Sequence, residues 1–300
     1  MLLSGASGML GAAVRQALGA HGIDAVQLVR REAGGPDELR WNPAAGQPIA
    51  DIERLEGLDA AIHLSGANVA AHRWTSAYKR EIWASRVDST HALATALAGL
   101  RQHPRVLLAA SATGVYGDRR DEILDERAGP GKGFLADLCR EWEAAARPAA
   151  EAGIRVVNLR FGVVLGPGDG ALGKMLPLFR LGLGGRLGSG QQWMSWVGLA
   201  DAVDAILFLL DTPALAGPMN VTAPEPVTNA EFTRALAAAV HRPAILPAPA
   251  FALRLALGEM ADEALLASAR AVPAKLLEAG FRFAQPTIGA ALAAALLRAR

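Results

Sequence analysis

The amino-acid sequence predicts an α/β fold built on a doubly wound parallel sheet, with a smaller, mainly helical C-terminal domain on the substrate side. Short apolar runs alternate with longer helical patterns up to about residue 160, which is the rhythm of strand–helix–strand units. Glycine-rich loops and then an Ala- and Leu-rich stretch replace this rhythm. We therefore expect a main domain over 1–245, with substrate-side segments at about 166–195, and a small helical domain over 246–300.

The alternation predicts strands at Met1–Ser4, Ala25–Val29, Ala60–Leu64, Val106–Ala110 and Arg155–Leu159. Helices are expected between them, at Met9–Gly19, Ala77–Leu100 and Phe134–Glu151. Thr228 and Glu231 have the spacing of a capping box, which predicts a helix running to about Val240. The first strand is short, so either it is trimmed or the true start lies upstream.

A glycine-rich stretch follows the last predicted strand of the main domain and ends at Trp193 and Trp196. Loops of this composition are typical of mobile or ligand-facing connections. We therefore expect this stretch to form part of a substrate side.

Composition limits the classes of partner. The formal net charge of the 300-residue chain is only +1, without long runs of like charge, so we expect neither nucleic acid nor a membrane surface as a partner. The most apolar segment, Ile245–Leu257, contains two prolines and an arginine and is too short to span a bilayer. Cys139 is the single cysteine and the six histidines are scattered, which predicts a cytoplasmic protein without a metal site.

The strongest motif lies at the start of the chain. Gly5-Ala6-Ser7-Gly8-Met9-Leu10-Gly11 connects the first predicted strand to an amphipathic helix. Glycines at this spacing let the backbone turn tightly, approach a pyrophosphate and pack the helix on the sheet, while the helix N-terminus offers free N–H groups. An ordinary strand-to-helix turn is the alternative, but the position at the start of a Rossmann-type unit favours dinucleotide binding.

Arg30 and Arg31 follow the second predicted strand, where NAD-binding proteins carry an acidic residue that binds the ribose hydroxyls. Guanidinium groups suit a ribose 2′-phosphate, so the sequence favours NADP(H) over NAD(H). Two solvated surface arginines are the alternative, and Glu32 could still serve as a ribose acceptor.

Segments spread over nearly the whole chain match one family. They include His63-Leu64-Ser65-Gly66-Ala67-Asn68, Ala112-Thr113-Gly114-Val115-Tyr116-Gly117-Asp118, Trp142-Glu143-Ala144-Ala145, Arg160-Phe161-Gly162-Val163-Val164-Leu165-Gly166, Gly188-Ser189-Gly190-Gln191-Gln192-Trp193 and Gly258-Glu259-Met260. The chain thereby resembles the atypical extended short-chain dehydrogenase/reductases of family 39U, known in bacteria as NAD-dependent epimerase/dehydratase-like proteins with a C-terminal domain of unknown function.

The resemblance implies a Rossmann-type sheet, NADP(H) as ligand and a small C-terminal domain that closes the substrate side. It places the adenosine phosphate contact on Arg30 and Arg31. Further implied cofactor contacts are Leu64, Ser65 and Gly66 after the strand at residues 60–64, Glu81 and Arg86 on the next helix, and Val163 beside the nicotinamide. A solvated helix pair is the alternative for Glu81 and Arg86, and plain core for Val163. Homodimers are common in this superfamily, although no residue pattern here demonstrates one.

The usual catalytic pair of this superfamily, Tyr-x-x-x-Lys, is missing. The helix that should carry it begins Phe134-Leu135-Ala136-Asp137-Leu138-Cys139, which offers neither a phenol nor an ammonium group. Gly198 also stands where relatives commonly carry a histidine. Ser111, Thr113 and Tyr116 remain as candidate catalytic residues at the end of the fourth predicted strand.

Two functions are therefore open. The chain is either an NADP(H)-dependent oxidoreductase or epimerase-like enzyme acting on an unknown small carbonyl or hydroxyl compound, or a catalytically silent NADP(H)-binding regulatory or sensor protein. The family favours the enzyme, whereas the missing Tyr-Lys pair favours the sensor.

Overall fold

A computed structural model describes residues 1–168 and 170–297 of the chain. Within these residues the chain forms thirteen strands and eleven α-helices. The strands are β1 (Leu2–Ser4), β2 (Val26–Val29), β3 (Glu38–Arg40), β4 (Ala60–His63), β5 (Val106–Ala112), β6 (Ile123–Leu124), β7 (Arg155–Phe161), β8 (Val163–Leu165), β9 (Trp193–Met194), β10 (Trp196–Gly198), β11 (Gly217–Val221), β12 (Val227–Thr228) and β13 (Arg270–Ala271).

The helices cover both faces of the main sheet. They are α1 (Met9–Ala20), α2 (Ser76–Ala84), α3 (Val87–Ala98), α4 (Phe134–Ala144), α5 (Arg147–Glu151), α6 (Gly170–Arg180), α7 (Leu199–Leu210), α8 (Asn229–Ala239), α9 (Ala250–Leu257), α10 (Ala274–Glu278) and α11 (Ile288–Leu297). Across the described residues, no helix combines the length and apolar character needed to cross a bilayer.

Seven strands form a parallel sheet in the order β11-β7-β5-β4-β1-β2-β3, which confirms the predicted fold class. Alternate side chains of each strand point to opposite faces, so Leu3 and Ile62 pack under α1 and α7, while Leu2 and Ala61 pack under α3 and α5. The direction of strand succession reverses between β1 and β4. In open α/β sheets, ligands bind in the crevice at such a reversal, outside the carboxyl ends of the strands.

The described C-terminal residues pack into several parts of this framework. Leu276 and Phe281 belong to the core beneath α1 and α7, and β13 pairs with β6. The buried carboxylate of Asp201 on α7 accepts hydrogen bonds from the amides of Ala284 and Gln285, at 2.8 and 2.9 Å. The mainly helical region predicted for 246–300 thus also contains a strand, and its helices are tied to the main sheet.

The glycine-rich stretch before β10 differs from its sequence-based interpretation. Trp196 is fully buried among α6, α8 and α11, with its indole N–H bonded to the carbonyl of Glu225 at 3.1 Å. Gly185 packs against the backbone of Leu246, so close that a Cβ there would lie 1.9 Å from the Leu246 carbonyl oxygen. Trp196 and Gly185 therefore pack against other parts of the protein and do not face an open ligand site.

Candidate functional site

The turn after β1 places its backbone against the end of β4. Gly5 has a φ of +74°, a conformation that favours glycine, and a Cβ there would lie 2.7 Å from the backbone of Leu64. Gly11, in the first turn of α1, packs on the same turn, since its Cβ would lie 2.1 Å from the Gly5 carbonyl oxygen. These two glycines therefore bring the start of α1 into the crevice where the strand order reverses.

Gly8 has a different environment. It is the N-cap of α1 with extended backbone angles, and a Cβ there would meet only the Gly5 carbonyl oxygen, at 3.5 Å. No side chain caps this helix, so the first amides of α1 have no side-chain partner among the described residues. Free amides and the positive end of the helix dipole together form a cradle that suits a diphosphate.

Two arginines follow β2 beside this cradle. Arg30 is exposed and has no side-chain partner among the residues that the structure describes. Arg31 is also exposed, but it donates from Nη1 and Nη2 to the carboxylate of Glu38 at 2.7 and 2.5 Å. Glu32, the alternative ribose acceptor, forms an ion pair of 2.6 Å with Arg40. Among the described residues, Arg30 thus has a guanidinium without a side-chain partner, whereas that of Arg31 is already oriented by Glu38.

The loop after β4 carries the next predicted contacts. Leu64 lies against Gly5, and the half-buried Arg86 donates from Nη2 to the carbonyl of Ala67 at 2.9 Å. The Arg86 guanidinium also lies 5.1 Å from the ring centre of Trp142. Arg86 therefore packs against the Leu64-Ser65-Gly66 loop and holds it in place. Burial lowers the pKa of its guanidinium.

Glu81 lies on α2, whereas Arg86 immediately precedes α3. Glu81 is exposed and lines an open depression of about 420 Å³ together with Tyr78 and His72. The structure separates the two predicted helix contacts, and the one at Glu81 stays a prediction.

Val163 begins β8, and its amide donates to the carbonyl of Ser195 at 2.9 Å. The half-buried side chain packs at the margin of the core around Trp196. This packing agrees with the alternative interpretation of Val163 as core, and its contact with a nicotinamide stays a prediction.

Ser111 lies in a buried polar network at the end of β5. Its hydroxyl donates to Glu143 on α4 at 2.7 Å, and the same carboxylate receives two bonds from Arg160 on β7, at 2.7 and 2.8 Å. The ion pair is almost buried, with side-chain exposures of 9% for Arg160 and 14% for Glu143. Although burial opposes it, the hydrogen bond and charge of Glu143 raise the pKa of Arg160, so this guanidinium stays charged.

Tyr116 belongs to the same network and is fully buried. Its hydroxyl accepts a bond from Arg160 Nη1 at 3.0 Å and lies 2.8 Å from Asn220 Oδ1 and 3.0 Å from the carbonyl oxygen of Asp125. Burial raises the pKa of this phenol, which keeps it protonated. The structure does not support Tyr116 as a substrate-facing acid, because protein groups already use its donor and its acceptor.

Among the three candidate catalytic residues, Thr113 is the one whose hydroxyl has no hydrogen-bond partner among the described residues. It is half-buried and opens a short 3₁₀ turn at the carboxyl end of β5. Nearby, α4 presents Phe134 and Leu138 in place of the missing Tyr-Lys pair. Phe134 lies under the ammonium group of Lys79, 4.4 Å from the ring centre, and Leu138 is buried. The site therefore has a hydroxyl at the sheet edge and an apolar face on α4.

A second cleft lies beyond this edge, under the C-terminal segment. Its volume is about 280 Å³, and its lining includes Asp118, Lys132, Arg254 and Glu263. The Glu263 carboxylate accepts a bond from the Leu135 amide in the first turn of α4, at 3.1 Å, and so caps that helix. In residues 1–168 and 170–297, no three His, Cys, Asp or Glu side chains converge as metal ligands would.

The sequence-based search missed Glu38, Glu143, Arg160 and Asn220 as site residues. Arg160 carried a usable signal, because a charged residue inside an apolar strand needs a buried partner. Glu143 and Asn220 carried none, since their partners lie 32 and 104 positions away in the chain.

Comparisons with known proteins agree with this geometry. The model of the NAD dependent epimerase/dehydratase family matches residues 1–222, and that of a domain of unknown function (DUF1731) matches residues 248–295. An epimerase family protein of Mycobacterium bovis is 47% identical over 296 residues, covering 99% of this chain and 97% of the relative.

Two solved structures are also similar. The human epimerase family protein SDR39U1, crystallised with NADPH, has 33% identity and a TM-score of 0.89, with 98% of each chain covered. The UDP-glucose 4-epimerase of Thermus thermophilus, in complex with NAD, has a TM-score of 0.75 over 98% of this chain and 97% of its own. At 20% identity the latter likeness concerns the fold alone. The chain belongs to the NAD dependent epimerase/dehydratase family, in the group of SDR39U1-like proteins with a DUF1731 C-terminal domain.

Proposed function

We propose that this protein binds NADP(H) in preference to NAD(H). The observation that carries the proposal is the position of the uncapped amides of α1, at the reversal of strand order and beside Arg30 and Arg31. The amides suit the diphosphate that both nucleotides share, whereas the two guanidinium groups suit the phosphate found only in NADP(H). The NADPH in the human relative supports the same choice.

In this proposal the predicted contacts around the cradle have defined tasks. The turn from Gly5 to Gly11 binds the diphosphate through backbone amides, and Arg30 and Arg31 bind the 2′-phosphate. The loop at Leu64-Ser65 lies beside the cradle and is held by Arg86. When bound, NADP(H) supplies a nicotinamide ring that accepts or donates a hydride.

The use that the family favours is hydride exchange with a small carbonyl or hydroxyl compound. The residue available for this task is Thr113, whose hydroxyl has no partner among the described side chains and can hydrogen-bond a substrate oxygen.

A second candidate is a regulatory or sensor protein that binds NADP(H) without turnover. The observation that favours it is the engagement of both other candidate hydroxyls: Ser111 donates to Glu143, and Tyr116 is fully buried against Arg160 and Asn220. The positions Phe134 and Leu138 of α4 offer no ionisable group in place of the missing pair.

Gly8→Ala tests the nucleotide site. A Cβ at Gly8 meets protein only at 3.5 Å, so the variant should fold normally, yet its methyl group would enter the cradle. We expect the Kd for NADPH to rise by about tenfold or more, because the backbone can no longer approach the diphosphate. Gly19→Ala, in the same helix with no atom within 4 Å of the new Cβ, is the matched control and should bind as wild type.

Titration by fluorescence gives both constants, and thermal unfolding verifies that the variants are folded. Folded wild-type protein that binds neither NADPH nor NADH at millimolar concentration would contradict the proposal. A screen of carbonyl compounds for NADPH oxidation then separates the two uses: turnover establishes the enzyme, whereas tight binding without turnover favours the sensor.

A further inference from the structure

The carboxylate of Glu38 is the centre around which the loop after β2 folds. Glu38 begins β3 and accepts hydrogen bonds from Arg31 Nη1 and Nη2 and from the amide of Gly34, at 2.7, 2.5 and 2.6 Å. Its side chain is 13% exposed, although that of Arg31 is 63% exposed. The hydrogen bond from Arg31 lowers the pKa of Glu38, so the carboxylate is charged at neutral pH.

We propose that Glu38 is a positioning residue that holds the Arg31 guanidinium in the orientation that binds a ribose 2′-phosphate. This inference rests on the proposed function, because it concerns how the same site selects NADP(H). It assigns the nucleotide preference to a pair, Arg31 with Glu38, and not to the two arginines alone.

The geometry of the guanidinium supports this role. Glu38 occupies the end of the group by bonding Nη1 and Nη2, and a second hydrogen of Nη1 is used by the carbonyl of Glu32 at 2.9 Å. The edge formed by Nε and the other hydrogen of Nη2 has no partner among the described residues, and such an edge binds two phosphate oxygens at once. Arg31 can thus bridge the carboxylate and a phosphate on opposite sides.

Orientation matters because Arg31 is otherwise a long, exposed side chain. A free arginine loses rotational freedom when it binds a ligand, and this loss weakens the complex. Three hydrogen bonds to protein acceptors remove that freedom before the nucleotide arrives. Arg30, which has no such partner among the described residues, contributes charge but must be ordered on binding.

The test measures the Kd of NADPH and of NADH for wild type and Glu38→Gln. In glutamine an NH2 donor replaces one of the two carboxylate oxygens, so it cannot accept from Nη1 and Nη2 in the same paired geometry. We therefore expect the NADPH constant to rise about threefold to tenfold while the NADH constant stays unchanged. Glu122→Gln is the matched control, because it breaks the same kind of two-oxygen pairing, with Arg119, outside the loop after β2. Its ratio of the two constants should equal that of wild type.

A double-mutant cycle with Arg31→Ala adds a measurement that a merely structural role would not affect. If Glu38 acts through Arg31, then Glu38→Gln should change NADPH binding little once Arg31 is absent. An equally large effect in the Arg31→Ala background would overturn the inference. Should Glu38→Gln fail to fold, Arg31→Lys tests the same geometry: it keeps the charge without the fork, and an unchanged NADPH preference would contradict us.

Two further outcomes overturn the proposal while leaving the proposed function intact. Tighter NADPH binding by Glu38→Gln would mean that the carboxylate competes with the phosphate. Equal weakening of NADPH and NADH would mean that Glu38 only folds the loop. If wild-type protein binds neither nucleotide, the proposed function fails, and this inference fails with it.

Discussion

Replacing Tyr116 by phenylalanine removes one buried hydroxyl and tests whether that residue is structural. The hydroxyl accepts a bond from the charged Arg160 and donates to an acceptor pair formed by Asn220 Oδ1 and the Asp125 carbonyl. A hydrogen bond to a charged group contributes about 1.5 to 3 kcal/mol and a neutral one about 1 kcal/mol, so the loss should total roughly 2 to 4 kcal/mol. The melting temperature should accordingly fall by roughly 3 to 6 °C.

Tyr78→Phe is the matched control, since the chain has two tyrosines and the Tyr78 hydroxyl has a single acceptor, the carbonyl of Asn68. Thermal and urea unfolding of both variants should show Tyr116→Phe as clearly the less stable. Two results would refute this reasoning. One is a stability within about 0.5 kcal/mol of wild type, the range of an ordinary surface substitution. The other is a large loss of turnover in a variant of unchanged stability, as expected of a catalytic acid.

Two further predictions concern the residues around the first turn. Burial lowers the pKa of His63 to about 4, below its unfolded value of 6.5, so the unfolded chain binds more protons between these values and stability falls with decreasing pH across that window. The loss of unfolding free energy should reach about 3 kcal/mol near pH 4. In urea titrations, the unfolding free energy of His63→Asn should depend less on pH than that of wild type. Parallel pH profiles of the two proteins would contradict this. Gly11→Ala should destabilise by about 1 to 3 kcal/mol or more, since its Cβ would lie 2.1 Å from the Gly5 carbonyl oxygen, while Gly19→Ala should stabilise by about 0.5 to 1 kcal/mol. Calorimetry that places both variants on the same side of wild type would disprove the packing argument.

Local signals predicted the parts of the fold that local physics determines. The first strand and helix and the capping box at Thr228 and Glu231 appear as expected, because glycine spacing and side-chain caps act within a few residues. Strands β3 and β11 were missed, since Glu38–Arg40 is short and charged and Gly217–Val221 begins with Gly-Pro. Only pairing with β2 and β7 makes them strands.

Two predicted helices are each divided in the structure. The helix expected over Ala77–Leu100 breaks at Ser85 and Arg86. There the Ser85 hydroxyl accepts a hydrogen bond from the Ala67 amide, and Arg86 donates one to the Ala67 carbonyl. No local breaker marks this position, so the break depends on a loop that lies 18 positions earlier. The helix expected over Phe134–Glu151 divides before Arg147. Pro148, in the first turn of α5, is a local signal for this division.

The candidate site divides in the same way. The glycine turn and the two arginines were visible as motifs, because each is a run of neighbouring residues with one task. The partners of Arg31, Ser111 and Tyr116 were not, because Glu38, Glu143 and Asn220 reach them through the fold. The cytoplasmic location, the homodimer, the domain boundary and the absence of macromolecular partners stay predictions.

The packing of the C-terminal residues bears on the order in which the chain acquires its structure during synthesis. Phe281 and Leu276 fill the core beneath α1 and α7, and the amides of Ala284 and Gln285 satisfy the buried Asp201 carboxylate. All of these groups leave the ribosome after the strands that they cover, since synthesis proceeds from the N-terminus. One face of the nascent sheet therefore stays incompletely packed until residues 276–285 have been synthesised.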